Sequence, residues 1–270
     1  MRRYLRTAFY TLCIIATLLA TVNLVVQVNA IPWLSQVTNT AMLRSDIGGR
    51  FPIESFVMIE QEVVIYKKLC NEENESCVNN GQIEGIVSGS ASGSIVGNCG
   101  EDCSLVLTAA HVCAIDTSAI PITDPAVDYK ITLTTGFGRI SQGTIIATDE
   151  ENDLCIVMAE DYLGPSLTMS DKNLVLHQDV YNMASPLGLA VPMAVPVFRG
   201  FYSGEVDSLA IFTFPVAPGS SGSPVLNEDG ELIATISGAA INFDEFAIGS
   251  RTEAVRNFLS AVEYQLGCSQ

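Results

Sequence analysis

Three short stretches of this 270-residue chain carry side chains that could together perform acyl transfer. In chain order they are Thr108-Ala109-Ala110-His111, Asn152-Asp153-Leu154 and Gly219-Ser220-Ser221-Gly222. A serine hydroxyl is a weak nucleophile, so a base must take its proton, and an imidazole with an unperturbed pKa of ~6.5 suits that task. A carboxylate must hold the imidazole in the right tautomer and stabilise its charged form. The pattern predicts a catalytic set of His111, Asp153 and Ser221.

The glycine two residues before Ser221 supplies a further requirement of this chemistry. A glycine there lets the backbone turn so that the N–H groups of Gly219 and Ser221 converge on a developing oxyanion. Each stretch alone has a plainer interpretation, since Gly-Ser-Ser-Gly also forms ordinary turns. The chain has only two histidines, however, and the three stretches follow one another in the order His, Asp, Ser. We therefore predict an oxyanion hole made by Gly219 and Ser221.

The elements that would position these residues are short strands. From Phe56 onwards, apolar runs of about five residues alternate with Gly, Asn, Asp and Pro, a pattern typical of an antiparallel barrel or sandwich. One amphipathic helix is predicted near the C-terminus, capped by Ser250 or Thr252 and ended by Gly267. Its apolar face is formed by Val255, Phe258, Leu259, Val262 and Leu266.

Residues 1–30 resemble an export segment. Arg2, Arg3 and Arg6 precede an apolar run from Leu12 to Val28, and Val28-Asn29-Ala30 is a small-residue pattern of the kind a signal peptidase cuts after. A cleaved signal peptide and an uncleaved membrane anchor both remain open. Either one predicts a periplasmic or secreted body, with membrane contact only through this segment. Residues 31–55 show no strong period and are predicted to be a linker.

Charge and cysteine content limit the partners and the compartment. The formal net charge of −17 disfavours a nucleic-acid partner, because an acidic surface repels the phosphate backbone. Seven cysteines outside the export segment favour an oxidising compartment, and Cys70 and Cys77 could close a disulfide loop. A zinc site is the weaker alternative, since neither histidine stands at ligand spacing from a Cys-x-x-Cys pair. The acyl-transfer chemistry itself needs neither a metal nor a cofactor.

At the three stretches the chain resembles the trypsin-like serine peptidase family, in particular its HtrA-type and glutamyl-endopeptidase-type bacterial branch. The resemblance spans roughly Phe56 to Leu266 and includes Met183-Ala184-Ser185-Pro186-Leu187-Gly188. It implies an all-β fold of two six-stranded antiparallel barrels, chymotrypsin-like, with the helix outside. The first barrel, 56–165, would carry His111 and Asp153. The second, 166–270, would carry Ser221 and the C-terminal helix.

The chain departs from the family pattern beside the nucleophile. Ser220 replaces the usual Asn or Asp, which predicts no trypsin-like zymogen activation, and Ser223 replaces a second glycine. Ser237 either orients Asp153 or is an ordinary strand serine, and His177 is predicted to lie on the surface. The chain ends soon after its helix, so we expect no PDZ module. The predicted pocket for the residue before the scissile bond (P1) has no charged member: Pro215, Val216, Ala217, Ser237, Gly238 and Ala239.

Three functional hypotheses follow. The first is a serine endopeptidase acting on proteins or peptides, with a small or medium apolar P1 preference. The second is an inactive protease-fold protein that binds a protein partner at the cell surface. The third is an unrelated β-rich surface module, which would leave the ordered His, Asp and Ser stretches unexplained.

Overall fold

The computed structural model describes residues 51–70, 77–100, 102–114, 126–240 and 243–266. The first six strands form one closed antiparallel barrel in the order β1-β2-β3-β6-β5-β4. Its strands are β1 Phe56–Cys70, β2 Cys77–Asn98, β3 Ser104–Thr108, β4 Ala126–Thr135, β5 Ile140–Asp149 and β6 Leu154–Ala159.

The next six strands close a second antiparallel barrel in the order β10-β11-β12-β9-β8-β7. Its strands are β7 Asp179–Met183, β8 Val197–Val206, β9 Leu209–Phe212, β10 Pro224–Leu226, β11 Leu232–Ala240 and β12 Phe243–Ser250. The predicted fold class, two six-stranded antiparallel barrels with one C-terminal helix, is therefore confirmed.

Each barrel is closed around its own apolar core. Val57, Ile59, Leu133 and Val157 are fully buried in the first barrel, and Phe212 and Ile236 in the second. Barrel strands alternate between interior and exterior, so every second side chain of a strand reaches the core. The β3 strand is buried along its whole length, which leaves its C-terminal end, just before His111, firmly held.

The C-terminal helix is present, but the prediction of its cap was wrong. The helix runs from Thr252 to Leu266 and buries Val255, Leu259 and Val262. The Ser250 hydroxyl instead bonds the backbone N–H and C=O of Thr235, and the Thr252 hydroxyl is buried without a partner. A cap needs an oxygen turned back onto the first helical N–H groups, and neither hydroxyl provides it.

Two predictions concern segments that are only partly described. Cys70 and Cys77 stand opposite each other in the β1–β2 register, while their side chains are outside the described part. The segment 1–30, predicted as a signal peptide or anchor, lies outside the described residues. Among the helices that the structure does describe, none combines the length and apolar character that crossing a membrane requires.

Candidate active site

His111 is held by the carboxylate of Asp153 through three contacts. It lies in a short helix, α1 Ala110–Cys113, which begins directly after the extended residue Ala109 that follows β3. The backbone N–H of His111 donates to Asp153 Oδ1 at 2.9 Å, and His111 Nδ1 lies 3.0 and 2.9 Å from Oδ1 and Oδ2. A carboxylate only accepts, so Nδ1 must carry the proton and Nε2 is left to act as a base.

Asp153 reaches this position from the tight turn between β5 and β6. Its φ of 53° lies in the left-handed region, which is uncommon for a residue with a side chain and is concentrated at functional sites. A disulfide joins Cys113 and Cys155, each two residues beyond His111 and Asp153. This cross-link and the three contacts fix the two side chains against each other.

The electrostatics of the pair favour an ionised aspartate. Burial is the largest single effect and would raise the pKa of Asp153, but several opposing effects together outweigh it, led by hydrogen bonds from the His111 side chain and backbone. The His111 charge and the Ser237 hydroxyl act in the same direction, so the pKa of Asp153 is lower than its usual value. A negative Asp153 is the state that can stabilise an imidazolium on His111.

Ser221 lies in the loop before β10, and backbone hydrogen bonds to both barrels hold this loop in place. The C=O of Ser221 accepts from the N–H of Ser92 on β2 at 2.8 Å, and the N–H of Gly222 donates to Ile236 on β11 at 2.7 Å. Gly222 has φ 79°, and a Cβ there would lie 2.0 Å from Thr108 Oγ1. Only glycine fits this conformation and this space.

The N–H groups predicted to form the oxyanion hole are available. Among the described residues, no acceptor takes the N–H of Gly219 or of Ser221. The carbonyl of Pro218 accepts from Leu187 N at 2.6 Å, and in a trans peptide the following N–H points the opposite way. The N–H of Gly219 is thereby directed away from the 186–188 segment.

The structure does not bring every predicted partner into hydrogen-bond contact. Within the described residues, Ser221 Oγ makes no hydrogen bond to His111, whereas His111 Nδ1 is bonded to Asp153. Nucleophile–base contacts are often long before substrate binds and tighten in the complex.

A pocket of about 270 Å³ opens beside Ser221. It is lined by Val216, Ala217, Pro218, Ser220, Ser221, Gly238 and Ala239, none of which carries a charge. Four of the six predicted pocket residues are thus in place, while Pro215 and Ser237 are not part of the lining. His177 is exposed and does not line the pocket either. In the described part of the chain, no His, Cys, Asp or Glu cluster could hold a metal.

Comparison with known proteins gives the family of this chain. Residues 91–234, just over half of the chain, match the model of the trypsin-like peptidase domain. The chain belongs to the trypsin-like peptidase family. A curated relative, the putative serine protease HhoA of Synechocystis sp., is 29% identical over 192 residues. That match covers 65% of this chain and 44% of HhoA, so the chain spans less than half the length of this relative.

Solved structures show the same fold at low sequence identity. The serine endoprotease from Yersinia pestis has a TM-score of 0.54 at 16% identity, over 77% of this chain and 62% of that one. An inactive mutant of Rv3671c from M. tuberculosis H37Rv has a TM-score of 0.51 at 16% identity, over 78% and 88% of the two chains. The predicted family, the trypsin-like peptidases, is confirmed.

The structure explains how this trypsin-like domain accommodates its departures from the family pattern. Ser223 is fully buried, and its hydroxyl accepts from Asn182 Nδ2 at 2.7 Å, which turns the side chain into the second barrel. The Ser220 hydroxyl folds back to accept from the N–H of Ala217 at 3.3 Å. Ser237 is half-buried, and its buried hydroxyl has no hydrogen-bond partner among the described residues, yet its proximity helps to lower the pKa of Asp153.

Sequence reasoning missed three residues that hold the loop carrying Ser221. Ser92, Asn182 and Leu187 bond to Gly219, Ser223 and Pro218 respectively. Leu187 adopts φ 54°, a left-handed conformation that a leucine rarely takes. Each partner is more than 30 residues away along the chain, so no local spacing could have revealed these contacts.

Proposed function

We propose that this chain is an active serine endopeptidase with His111, Asp153 and Ser221 as its catalytic triad. The observation that carries the proposal is the His111–Asp153 pair, in which the carboxylate binds both the ring Nδ1 and the backbone N–H. That arrangement fixes the tautomer with Nε2 as the base. A histidine that served packing alone would not need to donate from both its ring and its backbone to the same carboxylate.

The proposed reaction follows from these positions. Ser221 Oγ attacks the carbonyl carbon of the scissile bond while His111 Nε2 takes its proton. The N–H groups of Gly219 and Ser221 stabilise the oxyanion, and His111 then gives its proton to the leaving amine. Water attacks the acyl-enzyme by the same steps in reverse and releases the second product.

The substrate proposal is a peptide with a small or medium apolar P1 residue. The pocket beside Ser221 has room for a side chain of that size, and none of its seven lining residues could pair with a charged one. Burying an unpaired lysine, arginine or glutamate side chain there would be costly. Peptide p-nitroanilides that differ only at P1 test this. We expect Ala, Val or Leu to give a kcat/KM at least tenfold above Lys, Arg and Glu, and the reverse order would contradict the assignment.

We further propose that the peptidase works outside the cytoplasm. The Cys113–Cys155 disulfide beside the catalytic pair is favoured in an oxidising compartment. The export-type segment at 1–30 supports the same location, either as a cleaved signal or as an anchor.

An inactive, partner-binding protein is the second candidate, favoured by the missing hydrogen bond between Ser221 and His111. Labelling of the full oxidised chain with a fluorophosphonate probe separates the two candidates. We expect labelling of the wild type and none of Ser221→Ala, because the probe reacts only with an activated serine. A folded wild type that is not labelled would contradict the endopeptidase proposal and favour the binding protein.

A further inference from the structure

One buried serine of the first barrel bonds to both residues whose N–H groups are the proposed oxyanion donors. Ser92 lies on β2 and is fully buried. Its hydroxyl donates to the C=O of Gly219 at 2.8 Å, and its backbone N–H donates to the C=O of Ser221 at 2.8 Å. A single residue thus fixes the carbonyl of each proposed donor residue.

The hydroxyl of Ser92 is itself held in place. It accepts from the N–H of Ser185 at 2.9 Å, in the segment that follows β7. The C=O of Ser92 accepts from Thr108 Oγ1 at 2.8 Å, at the end of the strand that leads to His111. Because its own bonds fix its direction, the hydroxyl acts as a rigid support for Gly219.

The bond to Gly219 bears directly on the oxyanion hole. Gly219 has φ 96°, and a Cβ there would lie 2.4 Å from the carbonyl oxygen of Ser185, so glycine is required. Glycine also leaves the backbone free to rotate, and rotation of its flanking peptides would move its N–H. Leu187 N holds the peptide before Gly219, and Ser92 Oγ holds the peptide after it.

From this geometry we infer that Ser92 is a positioning residue of the peptidase, whose hydroxyl keeps the N–H of Gly219 in place to receive the oxyanion. The inference rests on the proposed function. Ser92 is fully buried, so it does not reach the substrate. Its hydroxyl acts on the oxyanion hole through Gly219, because the bond from its N–H to Ser221 needs no side chain and the bond it accepts comes from Ser185, which is not a proposed donor.

Ser92→Ala removes both hydroxyl bonds, the one to Gly219 and the one from Ser185, and keeps the backbone bond to Ser221, which makes it the direct test. Ser94→Ala is the matched control, since Ser94 lies two residues along the same strand, is equally buried, and has a hydroxyl without a partner in the described residues. Ser92→Cys keeps a weaker donor at nearly the same size and should fall between Ser92→Ala and the wild type.

Kinetics on a tetrapeptide p-nitroanilide with alanine at P1, normalised to active sites, provide the first measurement. We expect Ser92→Ala to lower kcat by about 10- to 100-fold with KM within about twofold, a smaller loss than the ~10²–10³ for deleting an oxyanion donor. A peptide aldehyde, whose adduct with the serine carries the oxyanion, should bind more weakly by the same factor. Ser94→Ala should match the wild type in both measurements.

Crystal structures of the wild type and Ser92→Ala provide a measurement that does not depend on activity. We expect the carbonyl of Gly219 to rotate away from β2 in the variant. A Gly219 that stays in place with kcat within twofold of the wild type would overturn the inference, as would a loss due only to a smaller folded fraction. A wild type without activity would refute the proposed function, and the two structures would still decide whether Ser92 positions Gly219.

Discussion

At the scale of single residues, the carboxylate of Asp153 is the group whose role can be isolated most cleanly. Asp153→Asn keeps an oxygen for the backbone N–H of His111 but can no longer select the right tautomer or stabilise the imidazolium. We expect kcat at pH 7 to fall by ~10⁴. Asp161→Asn is the control, because among the described residues that carboxylate bonds only the Ser141 hydroxyl, and its loss should leave kcat unchanged.

The lowered pKa of Asp153 gives the same variant a pH signature. A carboxyl group whose pKa falls on folding stabilises the protein above its unfolded pKa of ~3.9, and that contribution is lost as pH falls through the folded value. The gap in unfolding free energy between wild type and Asp153→Asn should therefore be widest near neutral pH and close below about pH 4. Urea unfolding from pH 7 to pH 3 measures it, and a gap that widens in acid would contradict the assignment.

At the scale of elements, the sequence predicts a strand well where both of its faces are buried and poorly where one face is exposed. Among the apolar runs that follow Phe56, one begins at Leu105 and another at Leu154, and they coincide with β3 and β6, which are almost wholly buried. The apolar-run pattern does not predict strands β8 and β12. The β8 sequence contains Arg199 and Glu205 and is largely exposed on one side, so its hydrophobic signal is weak.

In the candidate site, too, some residues could be predicted from the sequence and others could not. His111, Asp153 and Ser221 could be predicted because their chemistry imposes residue types and order on short stretches. Ser92 and Leu187 could not, since Ser92 acts on Gly219 from 127 positions away and Leu187 contributes only its backbone. The helix cap was misjudged for a related reason, because the Ser250 hydroxyl is taken by Thr235 on a neighbouring strand.

At the scale of the whole molecule, the proposed triad depends on how closely the two barrels meet at the Ser221 loop. Gly222 of the second barrel lies against Ser92 and Thr108 of the first, with a Cβ position 2.3 Å from Ser92 O. Gly100 offers a matched comparison. It has a similar φ of 73°, against 79° for Gly222, but nothing lies within 4 Å of its Cβ position.

Comparing Gly222→Ala with Gly100→Ala therefore separates two contributions to destabilisation: strain in the backbone, and steric overlap where the two barrels meet. Both variants place an alanine in the left-handed region, at about 1–2 kcal/mol each. Gly222→Ala also forces Thr108 and β2 away from the loop, which should add ~1–3 kcal/mol of destabilisation and lower kcat sharply because Ser221 moves relative to His111. Urea unfolding and active-site-normalised kinetics measure both effects. Equal destabilisation of the two variants, with kcat retained in Gly222→Ala, would show that the site tolerates a wider separation of the barrels than this packing implies.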